Sequence, residues 1–317
     1  MAKNNMDSSY YFAPFIGFSA MLAGGFWGLG GGWFVVPALM TLGVSNPIAA
    51  GASLLQMLPS TFLTVLKQFK SIGWKKNSWG INVALPLCGM AFIGGFFGRP
   101  VGELLEDLFN SRKPHQCIYL LLLGFILYKT LSHKTNTNSK HTDENAVPNA
   151  SPVKTSITGF IVGVLSSLLG IGGGTITRPV MKSYLHVPEI FTGKIARLAV
   201  FTTALSGTAS YLMQIETLKL GDPGTDSLIL GLLMASGGFI GFPLGSWMHS
   251  RVVVSGHAEK AAKSFAYVVV LVILSLFFKI VGMKITGQIT ILICGVFLLS
   301  FLPAFTLWSL KNPDKKL

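Results

Sequence analysis

The sequence predicts an all-α, polytopic membrane protein made of two homologous four-segment halves plus one extra C-terminal helix. Three observations carry this. Of the 317 residues, 50% are hydrophobic and 12% charged, with mean hydropathy +0.58, whereas a soluble domain carries about 25% charged residues. Apolar runs long enough to span a bilayer, roughly 20 residues each, recur along the chain. A glycine-rich stretch in the first run, Gly28-Leu29-Gly30-Gly31-Gly32-Trp33-Phe34-Val35-Val36-Pro37, returns as Gly170-Ile171-Gly172-Gly173-Gly174-Thr175-Ile176-Thr177-Arg178-Pro179. The glycines and the proline keep the same spacing at an offset of 142.

The first apolar run extends from Tyr10 to about Leu42. As one helix it would measure about 50 Å, too long for a hydrocarbon core of roughly 30 Å. It must be strongly tilted, broken, or folded back as a hairpin. Glycine and proline weaken a helix interior by about 1 and 3 kcal/mol each, so the glycine stretch is the place for the break. Further spans are expected at about Ile48–Phe69, Trp79–Gly98 and Cys117–Leu131. Ser132 to Lys154 is rich in Asn, Thr, Ser and Lys and has little to bury, so it reads as a linker outside the membrane. A second overlong run, Thr155 to about Leu185, opens the next half. Spans at about Ile190–Ile215, Ser227–His249 and Ala261–Val281 follow it. Ile285–Leu310 has no counterpart and is the added helix. The expected organisation is residues 1–131, a linker at 132–154, a second repeat at 155–282, and an extra helix with a basic tail at 283–317.

Other glycines keep the repeat. Gly17-Phe18 aligns with Gly159-Phe160, and Gly51 with Gly193. After one insertion, Gly94, Gly98 and Gly102 align with Gly237, Gly241 and Gly245. Glycine at every fourth position lines one helix face and permits close helix approach. Interrupted helices at corresponding places of two halves mark the binding site of a transporter.

The net charge of +13 sits in short loops between apolar runs, as orientation signals do, not on one soluble face as in phosphate-tracking proteins. Nucleic acid is therefore not an expected partner. Three scattered cysteines, Cys88, Cys117 and Cys294, have no metal or disulfide spacing. The N-terminus lacks the pattern of a removable signal peptide. If both overlong runs are hairpins, 15 of the 22 loop Lys and Arg fall on the linker side; if each crosses once, the two sides are nearly equal. The positive-inside rule then predicts inverted halves, with linker and C-terminus cytoplasmic and the N-terminus outside, in a cell (plasma or inner) membrane.

A glycine break followed by a half-helix exposes unpaired backbone N–H groups at the positive end of a helix dipole, which makes an anion site. The candidate binding residues are Gly30, Gly31, Gly32, Gly172, Gly173 and Gly174, with hydroxyls from Thr175 and Thr177. Intramembrane cations normally face a cavity or a partner. Arg178 and Arg197 are therefore candidates, with Lys194 close enough to the surface to snorkel and Glu189 the nearby acid that could pair with an arginine. Ser53 and Gln56 are polar candidates from the first half, although an ordinary interhelical hydrogen bond is the plainer reading of each. Arg99 is expected at a helix end, anchoring the interface. Neither glycine motif is a Walker or dinucleotide pattern. No Ser/His pair, metal-binding His-Glu-x-x-His or paired aspartates is present, no Asp is expected inside a span, and an enzyme is not predicted. No cofactor or metal is expected.

With its duplicated Gly-x-Gly-Gly-Gly…Pro motif, four-plus-four spans and paired Gly-Gly-x-x-Gly-x-Pro segments, the chain resembles the sulfite exporter TauE/SafE family of membrane permeases. The resemblance covers nearly the whole chain except the linker and the last span. It implies a secondary transporter of a small sulfur-containing anion, such as sulfite, thiosulfate or an organosulfonate, coupled to a proton or another ion and working by alternating access. The family motif positions are Gly30, Gly31, Gly32, Pro37 and Gly172, Gly173, Gly174, Pro179. An anion channel using the same groups is the runner-up, and a receptor or scaffold is a third reading.

Overall fold

Both overlong runs break at their glycines. The computed structural model describes residues 2–75, 77–111, 113–132, 151–213, 215 and 222–313. The predicted linker lies outside them from 133 to 150. Among the described residues there are eleven α-helices and no strand. They are α1 (Ala2–Trp27), α2 (Gly32–Thr41), α3 (Asn46–Gln68), α4 (Leu85–Phe109), α5 (Lys113–Ser132), α6 (Pro152–Leu169), α7 (Gly174–Ser183), α8 (Glu189–Leu212), α9 (Pro223–Val254), α10 (Ala258–Ile280) and α11 (Lys284–Lys311). A 3₁₀ turn at Phe69–Ile72 extends α3, and a π turn at Gly80–Ala84 leads into α4. Among the described residues, six helical segments are long and apolar enough to cross a membrane: Asn46–Ile72, Gly80–Phe109, Pro152–Leu169, Pro223–Val254, Lys260–Ile280 and Lys284–Lys311.

Helix boundaries follow local chemistry. Pro152 and Pro223 each occupy a helix N-terminus, where a missing N–H costs nothing. The Asp222 carboxylate accepts from Thr225 N–H at 3.0 Å and caps α9. That start lies ahead of the expected Ser227, so Asp226 falls inside a membrane-length helix. It is fully buried and accepts a 2.7 Å hydrogen bond from Tyr10 Oη. α4 likewise runs past the expected Gly98, which places Arg99 mid-helix and not at an end. Its Nε pairs with Glu103 at 2.9 Å and its Nη1 donates to Ser210 O at 2.8 Å. α6 begins at Pro152, inside the expected linker.

The glycine ladders set the packing. Gly237, Gly241 and Gly245 of α9 lie against the carbonyls of Pro14, Phe18 and Leu22 in turn, so α1 and α9 run parallel with backbones in contact. Gly159 and Gly163 of α6 lie against the carbonyls of Leu87 and Ala91, so α4 and α6 do the same. A β-carbon at these positions would strike a neighbouring main chain. Small residues give dispersion contact where lipid supplies no hydrophobic drive between helices.

Further contacts fix the remaining directions. Gly51 meets Ser227 and Leu55 meets Gly231, so α3 is parallel to α9. Ser206 lies at Gly95, and Ser210 Oγ donates to Phe96 O at 3.0 Å, so α8 is parallel to α4. Gly51 meets Tyr211, Leu54 meets Gly207, and Arg197 donates to Gln68, so α3 and α8 are antiparallel. Hence α1, α3 and α9 point one way and α4, α6 and α8 the other. Successive helices α1 and α3 can share a direction only if α2 returns between them. Gly31 indeed lies back against Ala20, where a β-carbon would stand 3.1 Å from the Ala20 carbonyl, and Gly30 lies against Gly24. Each overlong run is a helix followed by a ten-residue half-helix, about 15 Å long or half a hydrocarbon core.

α2 is held at both ends. Tyr119 Oη of α5 donates to Gly32 O at 3.1 Å. Lys279 Nζ donates to Met40 O, and Gln288 Nε2 to Thr41 O at 3.1 Å, covering the last carbonyls of the half-helix.

Candidate functional site

The two glycine loops meet. A β-carbon at Gly32 would stand 2.7 Å from Ile171 Cα, and one at Gly174 would stand 2.7 Å from Leu29 O. Met57 and Val200 wedge against both loops: β-carbons at Gly30 and Gly172 would lie 3.2 and 2.8 Å from Met57 Sδ. The N-termini of α2 and α7 therefore begin beside one another in the protein interior, and Gly30 to Thr41 and Gly170 to Thr177 are buried.

Their backbone donors define the chemistry. Among the described residues, the N–H groups of Gly30, Gly31, Gly32 and Trp33 donate to no backbone or side-chain oxygen, and neither do those of Gly172, Gly173 and Thr175. Gly174 N–H turns back to Gly172 O at 3.0 Å. No side chain caps either helix. Buried orphan N–H groups are rare, because each costs about as much as a lost hydrogen bond. Here seven of them gather at two dipole N-termini, each equivalent to about half a positive charge. Gly172 and Gly173 have φ of 74° and 77°, values open to glycine and strained for other residues.

Polar side chains gather around the second loop. The Thr175 hydroxyl is buried and unpartnered. Thr177 differs, since its hydroxyl donates to Gly173 O at 2.7 Å and is spent on its own helix. Ser166, which is not among the residues expected from sequence, is fully buried with an unpartnered hydroxyl. A β-carbon at Gly173 would stand 3.1 Å from it and 3.2 Å from Thr203 Oγ1. Its signal lies in the repeat, where the offset of 142 puts Ser166 and Ser167 opposite Gly24 and Gly25. Ser53 Oγ donates to Gly170 O at 2.7 Å, tying α3 to the second loop. Gln56, one turn further on and next to Met57, is 1% exposed, with neither amide nitrogen nor oxygen partnered.

The two arginines lie beside the crossing. Arg178 Nη1 donates to Trp27 O at 3.1 Å and its guanidinium fills the space over Gly28 and Gly193. Arg197 Nη1 donates to Gln68 Oε1 at 2.7 Å. Both lie toward the face where α3 ends and α8 begins, within electrostatic range of each other and of His249. Lys194 Nζ reaches Ser71 O at 3.0 Å nearer that face. The expected partner Glu189 has a side chain outside the described residues. Among the described residues no group of three or more His, Cys, Asp or Glu is placed to hold a metal ion.

Comparison with known proteins agrees with this architecture. Residues 13–277 match the family described as Sulfite exporter TauE/SafE. The chain is 23% identical to the probable membrane transporter protein YunE of Bacillus subtilis, over 77% of this chain and 90% of that protein. It is 24% identical to the probable membrane transporter protein MJ0441 of Methanocaldococcus jannaschii, over 69% and 79%. It is 27% identical to a second Bacillus subtilis probable membrane transporter protein, YtnM, over 74% and 72%. No solved structure matches it. The protein is thus a multi-span membrane protein, and it belongs to the sulfite exporter TauE/SafE family of membrane transporters.

Proposed function

We propose that this chain carries a small sulfur-containing anion, such as sulfite or an organosulfonate, across the cell membrane by alternating access around the crossing of the two glycine loops. One observation carries the reading: seven buried backbone N–H groups without acceptors converge where two half-helix N-termini abut. An anion is the ligand that satisfies donors and dipoles together. The unpartnered hydroxyls of Thr175 and Ser166 add donors on one side. Arg178 and Arg197 add positive charge along the approach from the α3–α8 face.

The two halves are read as an inverted duplication, α1–α5 against α6–α10. In support, α3 and α8 are equivalent under the 142 offset and antiparallel, while α1 pairs with α9 and α4 with α6 in reciprocal fashion. The half-helices then reach the midplane from opposite faces, the geometry in which one site serves both sides. Lys67, Lys70, Lys75, Lys182, Lys260 and Lys263 share the face where α3 and α9 end, while the carboxylates of Glu103, Asp107 and Asp222 lie at the other. This supports a cytoplasmic linker and C-terminus.

The test is uptake of labelled sulfite into proteoliposomes under imposed proton and voltage gradients. Accumulation above electrochemical equilibrium is expected, and flux that never exceeds it would make the protein a channel. Arg197→Ala is expected to weaken sulfite binding at least tenfold, and unchanged affinity would remove Arg197 from the pathway.

A further inference from the structure

The orphan groups at the crossing are not all donors, and the exception describes the ligand. The seven amides can only donate, and the hydroxyls of Ser166 and Thr175 can donate or accept. Gln56 Oε1 is the one buried, unpartnered group of this set that can only accept. In α3, Gln56 stands between two residues that touch the loops. Ser53, one turn back, donates to Gly170 O, and Met57, the next residue, presses on Gly30 and Gly172. Along a helix, positions three apart share a face, so Gln56 lies on the side of α3 that meets the crossing.

A fully deprotonated oxyanion offers lone pairs only. It satisfies the amides and the Gln56 nitrogen but sets its oxygens against Gln56 Oε1, on the same carboxamide. An oxyanion that keeps one proton answers both ends. Its charged oxygens accept from the amides and from Gln56 Nε2, and its O–H donates to Gln56 Oε1. We propose that the transported species is a singly protonated oxyanion monoanion, an X–OH beside X–O⁻, and that Gln56 is the residue that reads the proton. This rests on the loops being an anion site. A site built to pair with a ligand hydroxyl rejects an analogue without one, because its own buried atom is then left unsatisfied.

The test uses purified protein in nanodiscs and calorimetric titration with sulfite and methanesulfonate, from below to above the pH at which hydrogensulfite loses its proton. Methanesulfonate is a monoanion that cannot donate and whose charge stays constant, so it reports any titration of the protein, including that of His249, beside the fixed charges of Arg178 and Arg197. At the acidic end hydrogensulfite is expected to bind about 10- to 100-fold more tightly than methanesulfonate. Its apparent affinity should fall about tenfold per pH unit once the dianion predominates. Gln56→Met, similar in volume but with no hydrogen-bonding amide, should bring the two ligands to within about threefold of each other. Equal affinity in the unmodified protein, or sulfite binding that tightens as pH rises, would overturn the proposal while leaving the anion site in place. Absence of binding by either anion at every pH would remove the anion site itself, and the proposal with it.

Discussion

Replacing Gly32 by alanine adds one methyl group where two main chains touch. The new Cβ would stand 2.7 Å from Ile171 Cα and 2.9 Å from its carbonyl carbon, and closer still to Gly170 O. None of these atoms can rotate away, as the end of a side chain would. Overpacking a dense interior by a methylene costs about 1–3 kcal/mol, and backbone-only neighbours put Gly32→Ala at the upper end, about 2–3 kcal/mol. At roughly 2 °C per kcal/mol for a chain of this size, the thermal midpoint falls by about 4–6 °C. The loops also part, so sulfite affinity drops at least tenfold. Gly89→Ala is the matched control: Gly89 lies in α4, and a methyl added there meets nothing within 4 Å, while alanine gains up to about 1 kcal/mol of helix propensity. Both variants are compared by tryptophan-fluorescence melting in detergent, alone and with sulfite. A Gly32→Ala protein that melts within about 1 °C of the parent and binds sulfite normally would refute contact between the loops.

Thr175 and Thr177 separate a free hydroxyl from an occupied one. Thr175→Val is expected to lower sulfite affinity about three- to tenfold, whereas Thr177→Val stays within about twofold; equal losses in titration would contradict the assignment. Tyr10→Phe removes one donor to buried Asp226 and should cost about 1–3 kcal/mol, the penalty when a buried polar group loses a partner, read as a lower melting temperature with sulfite affinity unchanged. For topology, Cys117 is replaced, because it is the exposed cysteine among the described residues, and single cysteines are placed at Lys113 and Lys182. An impermeant thiol reagent should label them from opposite faces; labelling of both from one face would mean that the long runs cross once and the halves are not inverted.

Much of this architecture is legible in the residues. The helices break at Gly28–Gly31 and Gly170–Gly173 because glycines that take positive φ favour a turn there over a continued helix, while Pro37 and Pro179 lie within the half-helices that follow, and the excess length of each run has to go somewhere. The fourfold glycine ladders read as close packing because spacing alone puts them on one face. Their partners are not legible: nothing in Gly17 or Gly25 says that α9 lies against them, since a bare backbone face fits any other. Asp226 is hard to place inside a span because a cap upstream of the apolar run, at Asp222 and Pro223, starts the helix early. Arg99 reads as nearer an end than it is for the mirror reason, since α4 continues through polar residues to a left-handed Asn110. Ser166 is hidden by its own departure from the repeat, a hydroxyl where the first copy has glycine. The pairing of Thr177 with Gly173 depends on a rotamer, which no spacing fixes.

The reciprocal embrace of α1 with α9, and of α4 with α6, bears on how the chain is made. Pro14 meets Gly237, a residue synthesised 223 positions later. At about 5–20 residues per second, α1 waits on the order of 10–45 s in the bilayer with its glycine face uncovered. During that interval its glycine ridge is open to any passing helix with a matching small-residue face, including one from another nascent copy. Correct assembly is thus a race between the ribosome and lateral diffusion, and slowing translation between α1 and α9 is where this protein is most exposed to pairing with the wrong neighbour.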